Sequence, residues 1–365
     1  MGKGISVAVV GAAGYAGREA CRLLLGHPGV TRIVPIARGE EEFEDVHPNL
    51  LGSGLTFHPT DVLDSPEQFE AAILCTPTGE AMRLAPALLD AGVRVVDLSA
   101  DFRFADPEEF ERVHGHKHTS PELLDEAVYG ATELYRDQIR TARLVANPGC
   151  YALTALLALE PLFTSGLVDP GAAVHIAAVN GTTGAGSKLT RRTAHAESAQ
   201  SVASYDLDGH RHAPEIEDRL GRASEGVRPV VDLGTAHGPF ARGIHLTASA
   251  PLSPEVRTAA TRATVLEAYL ARYGPADGGE FFVRVNARPA TGGRNGKDYL
   301  RLPPLSAVAG TNYCHLGAEV DERIGVVRVT AVTDNLGKGA AGSAIQNLNL
   351  MFGFDETAGL RGYAP

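Results

Sequence analysis

The sequence has no tryptophan, and its four cysteines are scattered at positions 21, 75, 150 and 314 without a C-x-x-C pair. This pattern argues against a disulfide framework and a structural zinc site, and it is typical of a reducing cytoplasm. The N-terminus lacks a charged segment followed by an apolar run, and no stretch is apolar for long enough to span a bilayer. We therefore expect a soluble cytoplasmic enzyme or binding protein.

Positive charge is also scarce, because 33 Lys and Arg stand against 44 Asp and Glu and give a net charge of −11. This balance disfavours nucleic acid and anionic membrane as partners, although local cations could still bind an anionic small molecule. The length of 365 residues, with 44% hydrophobic and 21% charged residues, predicts two domains with separate cores.

A glycine-rich turn lies near the start of the chain. The β-rich run Ile5–Val10 leads into G-A-A-G-Y-A-G, and a helical pattern follows over residues 18–25. Strand, glycine turn and helix together are typical of the phosphate-binding start of a dinucleotide fold, although a tight turn that merely needs glycine is the structural alternative. The predicted cofactor contacts are Gly11, Ala12, Ala13, Gly14, Tyr15 and Gly17.

The second predicted strand covers residues 31–37 and ends where a dinucleotide fold normally contacts the ribose. Ala37-Arg38 stands there instead of an acidic residue, and a cation suits a ribose 2′-phosphate. The sequence therefore favours NADP(H) over NAD(H). We interpret the acidic run at 40–42 as a solvated loop.

Strand patterns at 71–75 and 93–98, with a helical pattern at 80–90 between them, continue the βαβ alternation. They predict a Rossmann-type, doubly wound parallel sheet. Arg103 follows a strand end and could bind a carboxylate or phosphate, or form a surface pair with Asp101. The histidines at 114, 116 and 118 lack other metal ligands at the usual spacing, so we predict no metal site.

Cys150 follows a Pro-Gly corner and opens an apolar helical pattern that runs to residue 159. A helix N-terminus favours the thiolate, which is the form that attacks acyl groups. A buried core thiol is the alternative, since that is the usual fate of a free cysteine. Cys75 and Cys21 lie in apolar runs and are predicted to be core residues.

The second half has two further polar segments. A strand at 174–179 precedes the glycine-rich loop at 180–187, which could bind phosphate or cover an active site, and Ser187 and Lys188 close this loop. His210 and His212 precede a helix predicted to start near Pro214, and Glu215 could orient an imidazole. A surface histidine pair or a zinc site built on these three side chains are the alternatives.

The remaining segments predict an α+β domain with a mixed, largely antiparallel sheet and helices on one face. Strand patterns cover 241–250, 280–285 and 325–332, and one helix is expected at 255–273. Residues 291–297 are expected to form an exposed basic loop, and a helix rich in small residues is expected within 334–351.

Taken together, these segments resemble the N-acetyl-γ-glutamyl-phosphate reductase family, within the aspartate-semialdehyde dehydrogenase-like group. The resemblance covers nearly the whole chain. Its most specific motifs are L-S-A-D-F-R at 98–103, N-P-G-C-Y at 147–151, G-H-R-H-A-P-E-I at 209–216 and D-N-L-G-K-G-A-A-G at 334–342.

The resemblance implies NADPH-dependent reduction of an acyl phosphate to a semialdehyde in arginine biosynthesis. It implies a nucleophilic Cys150, an acid–base role for His210, and Asn335 near the nicotinamide. His212 and Glu215 would hold the imidazole, and Arg103, Asn147, Ser187 and Lys188 would contact the substrate. It also implies an NADP-binding domain at 1–149 with the C-terminal helix 335–365, and a catalytic and oligomerisation domain at 150–334 that forms a homodimer or homotetramer.

Other functions stay open at this point. The segments at 47–52 and 309–313 look like relatives that reduce aminoadipyl or glutamyl phosphate linked to an amino-group carrier protein, in lysine or arginine synthesis. The basic residue after the glycine-rich loop also comes one position later than is common in the family. A nicotinamide-binding redox sensor without turnover and a zinc hydrolase are alternatives from other functional classes.

Overall fold

The computed structural model describes residues 4–274, 279–289, 298 and 300–364. The chain divides into two compact units, Met1–Gly149 with Gly339–Gly362, and Cys150–Lys338 with Tyr363–Pro365. The basic loop expected at 291–297 lies outside the described residues. In the part of the chain that is described, no helix combines the length and apolar character needed to cross a membrane.

In the residues that the structure describes, each unit contains one sheet. The strands of the described residues are β1 (Ile5–Val10), β2 (Val30–Ile36), β3 (Ala71–Leu74), β4 (Arg94–Asp97), β5 (Val128–Tyr129), β6 (Leu144–Ala146), β7 (Val174–Asn180), β8 (Ala203–Tyr205), β9 (Val231–His237), β10 (Ile244–Pro251), β11 (Val283–Val285), β12 (Cys314–Asp321) and β13 (Val326–Thr333).

Helices alternate with strands in the first unit and are fewer in the second. The α-helices of the described residues are α1 (Tyr15–Leu25), α2 (Phe43–Val46), α3 (Ala81–Asp90), α4 (Pro107–His114), α5 (Thr132–Thr141), α6 (Cys150–Thr164), α7 (His195–Ser198), α8 (His212–Ala223), α9 (Arg262–Tyr273) and α10 (Gly342–Phe352). A π-helical turn, Gly337–Ala341, precedes α10.

The sheet of the first unit has the order β2-β1-β3-β4-β6-β5, and all its pairings are parallel. Alternate residues of β1 point to opposite faces, yet Val7, Ala8 and Val9 are all completely buried. Both faces of the sheet are therefore covered, as in a doubly wound fold. The prediction of a Rossmann-type parallel sheet is confirmed.

The sheet of the second unit has the order β11-β12-β13-β10-β7-β9-β8. The β11–β12 and β7–β9 pairs are parallel and the other pairs are antiparallel. The residues of β10 alternate strictly between buried and half-buried, which is typical of a sheet with one covered face. Helices α6, α8 and α9 pack against this sheet. The predicted mixed, largely antiparallel sheet is confirmed.

In the described part of the chain, α3 and α6 each contain a proline beyond the first turn, and each proline leaves the carbonyl four residues earlier without its helical N–H partner. In α6, Pro161 frees the Leu157 carbonyl, which accepts a hydrogen bond from the Tyr273 hydroxyl at 3.0 Å. In α3, Pro86 frees the Met82 carbonyl, which accepts one from the Ser120 hydroxyl at 2.7 Å. Side chains distant in sequence thus satisfy the groups that proline leaves unpaired.

One predicted helix start is wrong by seven residues, and a second lies within two residues of its predicted place. The helix expected from residue 255 begins at Arg262, because Thr261 and Thr264 form a reciprocal capping box at that point. The helix expected near Pro214 begins at His212, so this histidine belongs to the first helical turn rather than to an extended entry.

The buried amide of Asn347 on α10 links this helix to the loops around β5 and β6. Its Nδ2 donates to the Gly130 carbonyl at 2.9 Å and to Asn147 Oδ1 at 3.2 Å, and its Oδ1 accepts from the Thr132 hydroxyl at 2.7 Å. Because Asn347→Leu removes the partners of the buried Gly130 carbonyl and Thr132 hydroxyl, we expect it to lower the free energy of unfolding by about 2–4 kcal/mol. Urea denaturation followed by circular dichroism measures this, with the exposed-site variant Gln138→Leu as control. A loss no larger than that of the control would contradict this account of α10.

Candidate functional site

The glycine turn between β1 and α1 needs glycine at two positions. Gly11 has φ +80°, and a Cβ there would lie 2.5 Å from the Cys75 carbonyl oxygen. A Cβ on Gly17 would lie 2.6 Å from Ala12 Cα and from the Gly11 carbonyl oxygen. Helix α1 therefore packs directly on the turn, with its N-terminus against the carboxyl end of β1.

This turn can bind an anion through its backbone. The N–H groups of Gly11 and Ala12 donate to the Ile36 carbonyl, which holds the turn against β2. Helix α1 begins at Tyr15 after Gly14, and no side chain caps it, so its first-turn N–H groups can point toward a ligand. These features fit the pyrophosphate of a dinucleotide.

Arg38 follows β2, as the ribose prediction requires, and its side chain is 78% exposed. Its Nη2 lies 3.3 Å from Glu80 Oε2, a carboxylate that immediately precedes α3. Ala37, by contrast, is buried, and its N–H donates to the His58 carbonyl at 3.1 Å. The guanidinium is thus accessible and already next to one anion.

Cys150 is the first residue of α6 and is half-buried, whereas Cys21 and Cys314 are completely buried. Burial raises the pKa of the Cys21 thiol to about 12, and it also raises that of Cys75. These two thiols therefore stay protonated near neutral pH. Cys21 is a core residue as predicted, whereas Cys75 is only half-buried, like Cys150. Cys150 therefore differs from the other three in its place at a helix N-terminus.

The side chain of Asn180, at the end of β7, faces the Cys150 thiol. Its Nδ2 lies 3.9 Å from Sγ, and the residue is 1% exposed. Within the described residues, its Oδ1 has no hydrogen-bond partner. A Cβ on Gly184 would lie 2.1 Å from Nδ2, so glycine at this point of the following loop lets the loop pack over the amide.

Two tyrosines lie beside the thiol. The hydroxyls of Tyr151 and Tyr205 are 2.8 Å apart, and the Tyr205 ring stacks on His237 with 4.4 Å between centroids. Burial raises the pKa of both phenols, that of Tyr205 to about 12, so both are neutral at physiological pH. They form a polar but uncharged wall.

His210 belongs to the same cluster, because its ring meets Tyr151 edge-on at 5.3 Å. Its Nδ1 accepts the His212 backbone N–H at 3.1 Å, so the neutral ring carries its hydrogen on Nε2. Burial, and then the charge of Arg211, lower the pKa of His210 to about 4. The imidazole is therefore neutral at pH 7, whereas an imidazole with the ordinary pKa of about 6.5 would be partly protonated there.

His212 and Glu215 are both buried in the first turn of α8. The two imidazole rings pack at 4.6 Å and 74°, and the negative charge of Glu215 partly opposes the lowering of the His210 pKa. Among the described residues, no group of three or more His, Cys, Asp or Glu side chains has an arrangement that could hold a metal ion.

The side chain of Asn335 braces the glycine-rich loop after β7. Thr183 Oγ1 accepts from Asn335 Nδ2 at 2.9 Å, and Asn335 Oδ1 accepts the Gly243 N–H at 2.6 Å. Asn335 is therefore a buried brace of this loop, and its predicted place near the nicotinamide stays a prediction. Ser187 and Lys188, at the far end of the loop, are exposed.

Arg103 and Asn147 are buried within the first unit. The Arg103 guanidinium donates to the carbonyls of Asn147 and Leu98, each at 2.9 Å. Asn147 Oδ1 accepts from the Ser343 hydroxyl at 3.0 Å. These contacts hold the chain just before the Pro-Gly corner, and substrate binding by either residue stays a prediction.

Three features were missed at the level of sequence: the Asn180 amide, the Tyr205 hydroxyl and the buried pair of Asp334 with Arg242. In this pair, Nη2 of Arg242 lies 2.9 Å from Asp334 Oδ1, and Asp334 also accepts three backbone N–H groups. The only sequence signal for Asn180 was its place at the start of a glycine-rich loop.

Comparison with known proteins covers both units. Residues 6–142 match the family described as "Semialdehyde dehydrogenase, NAD binding domain", and residues 150–335 match "Semialdehyde dehydrogenase, dimerisation domain". Aspartate semialdehyde dehydrogenase II from Vibrio cholerae has a similar fold, with a TM-score of 0.68 at 16% identity over 96% of this chain and 99% of that one. The predicted dinucleotide-binding domain is confirmed.

Two sequence relatives extend over almost the whole chain. N-acetyl-gamma-glutamyl-phosphate reductase from Methanopyrus kandleri is 41% identical and covers 99% of this chain and 100% of its own length. The protein of the same name from Geobacillus kaustophilus is 37% identical and covers 98% of each chain. With both halves matched and relatives this similar from end to end, the chain belongs to the N-acetyl-γ-glutamyl-phosphate reductase family of semialdehyde dehydrogenases.

Proposed function

We propose that this protein reduces N-acetyl-γ-glutamyl phosphate to N-acetylglutamate semialdehyde with NADPH and releases inorganic phosphate, as a step of arginine biosynthesis. The observation that carries the proposal is the half-buried Cys150 thiol at the start of α6, with an amide donor 3.9 Å from its sulfur. The names of the relatives, which match almost end to end, support the choice of substrate.

The first chemical step is acyl transfer to sulfur. The Cys150 thiolate attacks the acyl carbon, the bond from that carbon to the phosphate oxygen breaks, and phosphate leaves with one proton taken up from its surroundings. The helix N-terminus and the Asn180 N–H groups stabilise negative charge at and near the sulfur. A thioester on Cys150 remains.

The second step removes the acyl group as an aldehyde. NADPH, when bound, supplies a hydride to the thioester carbon. The resulting oxygen anion collapses, the carbon–sulfur bond breaks, and the thiolate is regenerated. The proposal requires the reactive carbon of the nicotinamide to reach the thioester.

His210 has a defined role in this scheme. Because its Nδ1 accepts a backbone N–H, its Nε2–H is the donor available to an oxygen that becomes negative. An anion nearby raises the pKa of an imidazole, so the ring can also take up and deliver a proton during turnover. His212 supplies the backbone contact, and Glu215 favours the protonated ring.

Binding of cofactor and substrate anions is assigned as follows. The glycine turn holds the pyrophosphate and Arg38 the 2′-phosphate, while Ser187 and Lys188 contact the substrate from their exposed loop. Arg103 and Asn147 position the segment that leads into Cys150.

The protein acts as a homo-oligomer formed through the second unit. The match of residues 150–335 to a domain family described as a dimerisation domain supports this assembly. The four free thiols suit a reducing cytoplasm.

The reverse reaction tests the function with a stable substrate. We expect phosphate-dependent reduction of NADP⁺ with N-acetylglutamate semialdehyde, one phosphate being consumed for each NADPH formed. Cys150→Ser should lower kcat by at least about 10³-fold, since the nucleophile is lost, while Cys314→Ala should retain activity. Activity with a carrier-protein-linked semialdehyde alone, or an active Cys150→Ser variant, would contradict the proposal.

The Asn180 amide has its own test. Asn180→Leu keeps the branch at Cγ but removes the donor, so we expect kcat to fall about 10²-fold with little change in NADPH affinity. Gly184→Ala should act in the same direction, because its Cβ would displace the amide. Gly234→Ala on β9 is the matched control, since its Cβ would meet its nearest atom at 3.7 Å. An Asn180→Leu enzyme with unchanged kcat would exclude the amide from the chemistry.

The lowered pKa of His210 predicts the position of its titration. NMR of the histidine ring protons, assigned with His210→Gln, should give a midpoint well below the ordinary value of about 6.5. Arg211→Gln should move the midpoint upward, because loss of a positive neighbour stabilises the imidazolium. Since the folded pKa lies below the unfolded one, His210 stabilises the fold above pH 6.5, and this contribution is lost as the pH falls toward 4. A midpoint at or above 6.5 would contradict the burial argument.

A further inference from the structure

The ion pair of Arg38 with Glu80 joins two loops of the first unit. Arg38 follows β2 and Glu80 immediately precedes α3, which follows β3. Their nearest atoms, Nη2 and Oε2, are 3.3 Å apart, and the side chains are 78% and 30% exposed. The Arg38 guanidinium is therefore accessible to a ligand, whereas the Glu80 side chain is more buried.

The sheet topology places this pair across the glycine turn. In the order β2-β1-β3, the central strand β1 leads into that turn. Val10 pairs with Ile36 on one side and with Leu74 on the other, so the loops after β2 and β3 leave the sheet on either side of the turn. With adjacent strands about 4.8 Å apart, β2 and β3 lie roughly 10 Å apart, and the two long side chains bridge this gap.

The Glu80 backbone is anchored at the start of α3, whereas Arg38 lies in an exposed stretch. The Glu80 N–H donates to the Pro77 carbonyl at 3.2 Å, and its carbonyl accepts the N–H groups of Arg83 and Leu84 in the first turn of α3. Arg38 is followed by Gly39 with φ +110°, in an exposed stretch. The Arg38 guanidinium can therefore leave the Glu80 carboxylate and bind another anion by a local side-chain movement.

We propose that Glu80 sets how strongly this chain prefers NADPH to NADH, acting as a positioning residue through Arg38; this inference rests on the proposed use of NADPH. In the free protein the Glu80 carboxylate partly neutralises Arg38, and a 2′-phosphate must replace that carboxylate before it gains the guanidinium. A ribose 2′-hydroxyl has no charge to compete for Arg38. Glu80 thus weakens NADPH binding relative to NADH and limits the discrimination between the two cofactors.

The test measures cofactor binding without turnover. Kd values of NADPH and NADH are obtained from the nicotinamide fluorescence at low ionic strength, for the wild type and for Glu80→Gln, Arg38→Ala and the double variant. Glu80→Gln should raise the ratio of the NADH Kd to the NADPH Kd by about two- to fivefold, the range expected for an exposed ion pair. In the Arg38→Ala background, the same change should leave the ratio unaltered.

Glu41→Gln is the charge-matched control, since it removes an exposed carboxylate from the acidic run at 40–42, which follows Arg38 closely in the sequence. It should leave the ratio unchanged, and the Glu80 effect should shrink as salt is added. An unchanged ratio in Glu80→Gln, an equal rise in the Arg38→Ala background, or an equal rise in Glu41→Gln would each overturn the inference. A wild type that binds NADPH no more tightly than NADH would instead overturn the cofactor choice in the proposed function.

Discussion

The burial of α6 is the constraint on which the rest of the second unit depends. Twelve of its fifteen residues are buried, all apolar except Thr154 and Tyr151, and the helix packs against α8, α9 and the sheet. Such a helix cannot tilt or unwind without exposing a large apolar surface, which costs about 25 cal/mol per Å². Its N-terminus is therefore a fixed point, and that point carries Cys150.

Hydrogen bonds from polar side chains hold α6 in place and surround the thiol. Thr154 Oγ1 contacts both the Cys150 carbonyl at 2.8 Å and the Thr333 hydroxyl at 2.7 Å, so the first turn of α6 is tied to β13. The hydroxyls of Tyr269 and Tyr273 satisfy carbonyls in the middle of the helix. Around the thiol, Asn180 and the neutral tyrosine pair provide hydrogen-bonding groups without a fixed charge that would oppose an anionic sulfur or substrate.

Local sequence patterns were sufficient wherever short-range physics decides the structure. The glycine turn after β1 could be predicted because Gly11 needs a positive φ, and the start of α6 because a Pro-Gly corner precedes an apolar run. The helix start at 262 was missed because a capping box, rather than apolar periodicity, determines it. The Asn180–Cys150 contact joins residues thirty positions apart, and it depends on the register of β7 in the sheet, which local patterns do not contain. The low pKa of His210 likewise follows from burial in the folded protein, and its sequence neighbourhood does not reveal it.

The central claim is that the acyl group is carried on one sulfur atom. The most direct measurement is to mix the protein with N-acetyl-γ-glutamyl phosphate without NADPH, quench with acid and map the peptides by mass spectrometry. The account predicts one acyl group on the peptide that contains Cys150, released by hydroxylamine as expected for a thioester. An acyl group on another cysteine would contradict the claim. So would the absence of an acylated peptide at every quench time in a preparation that is active when NADPH is added.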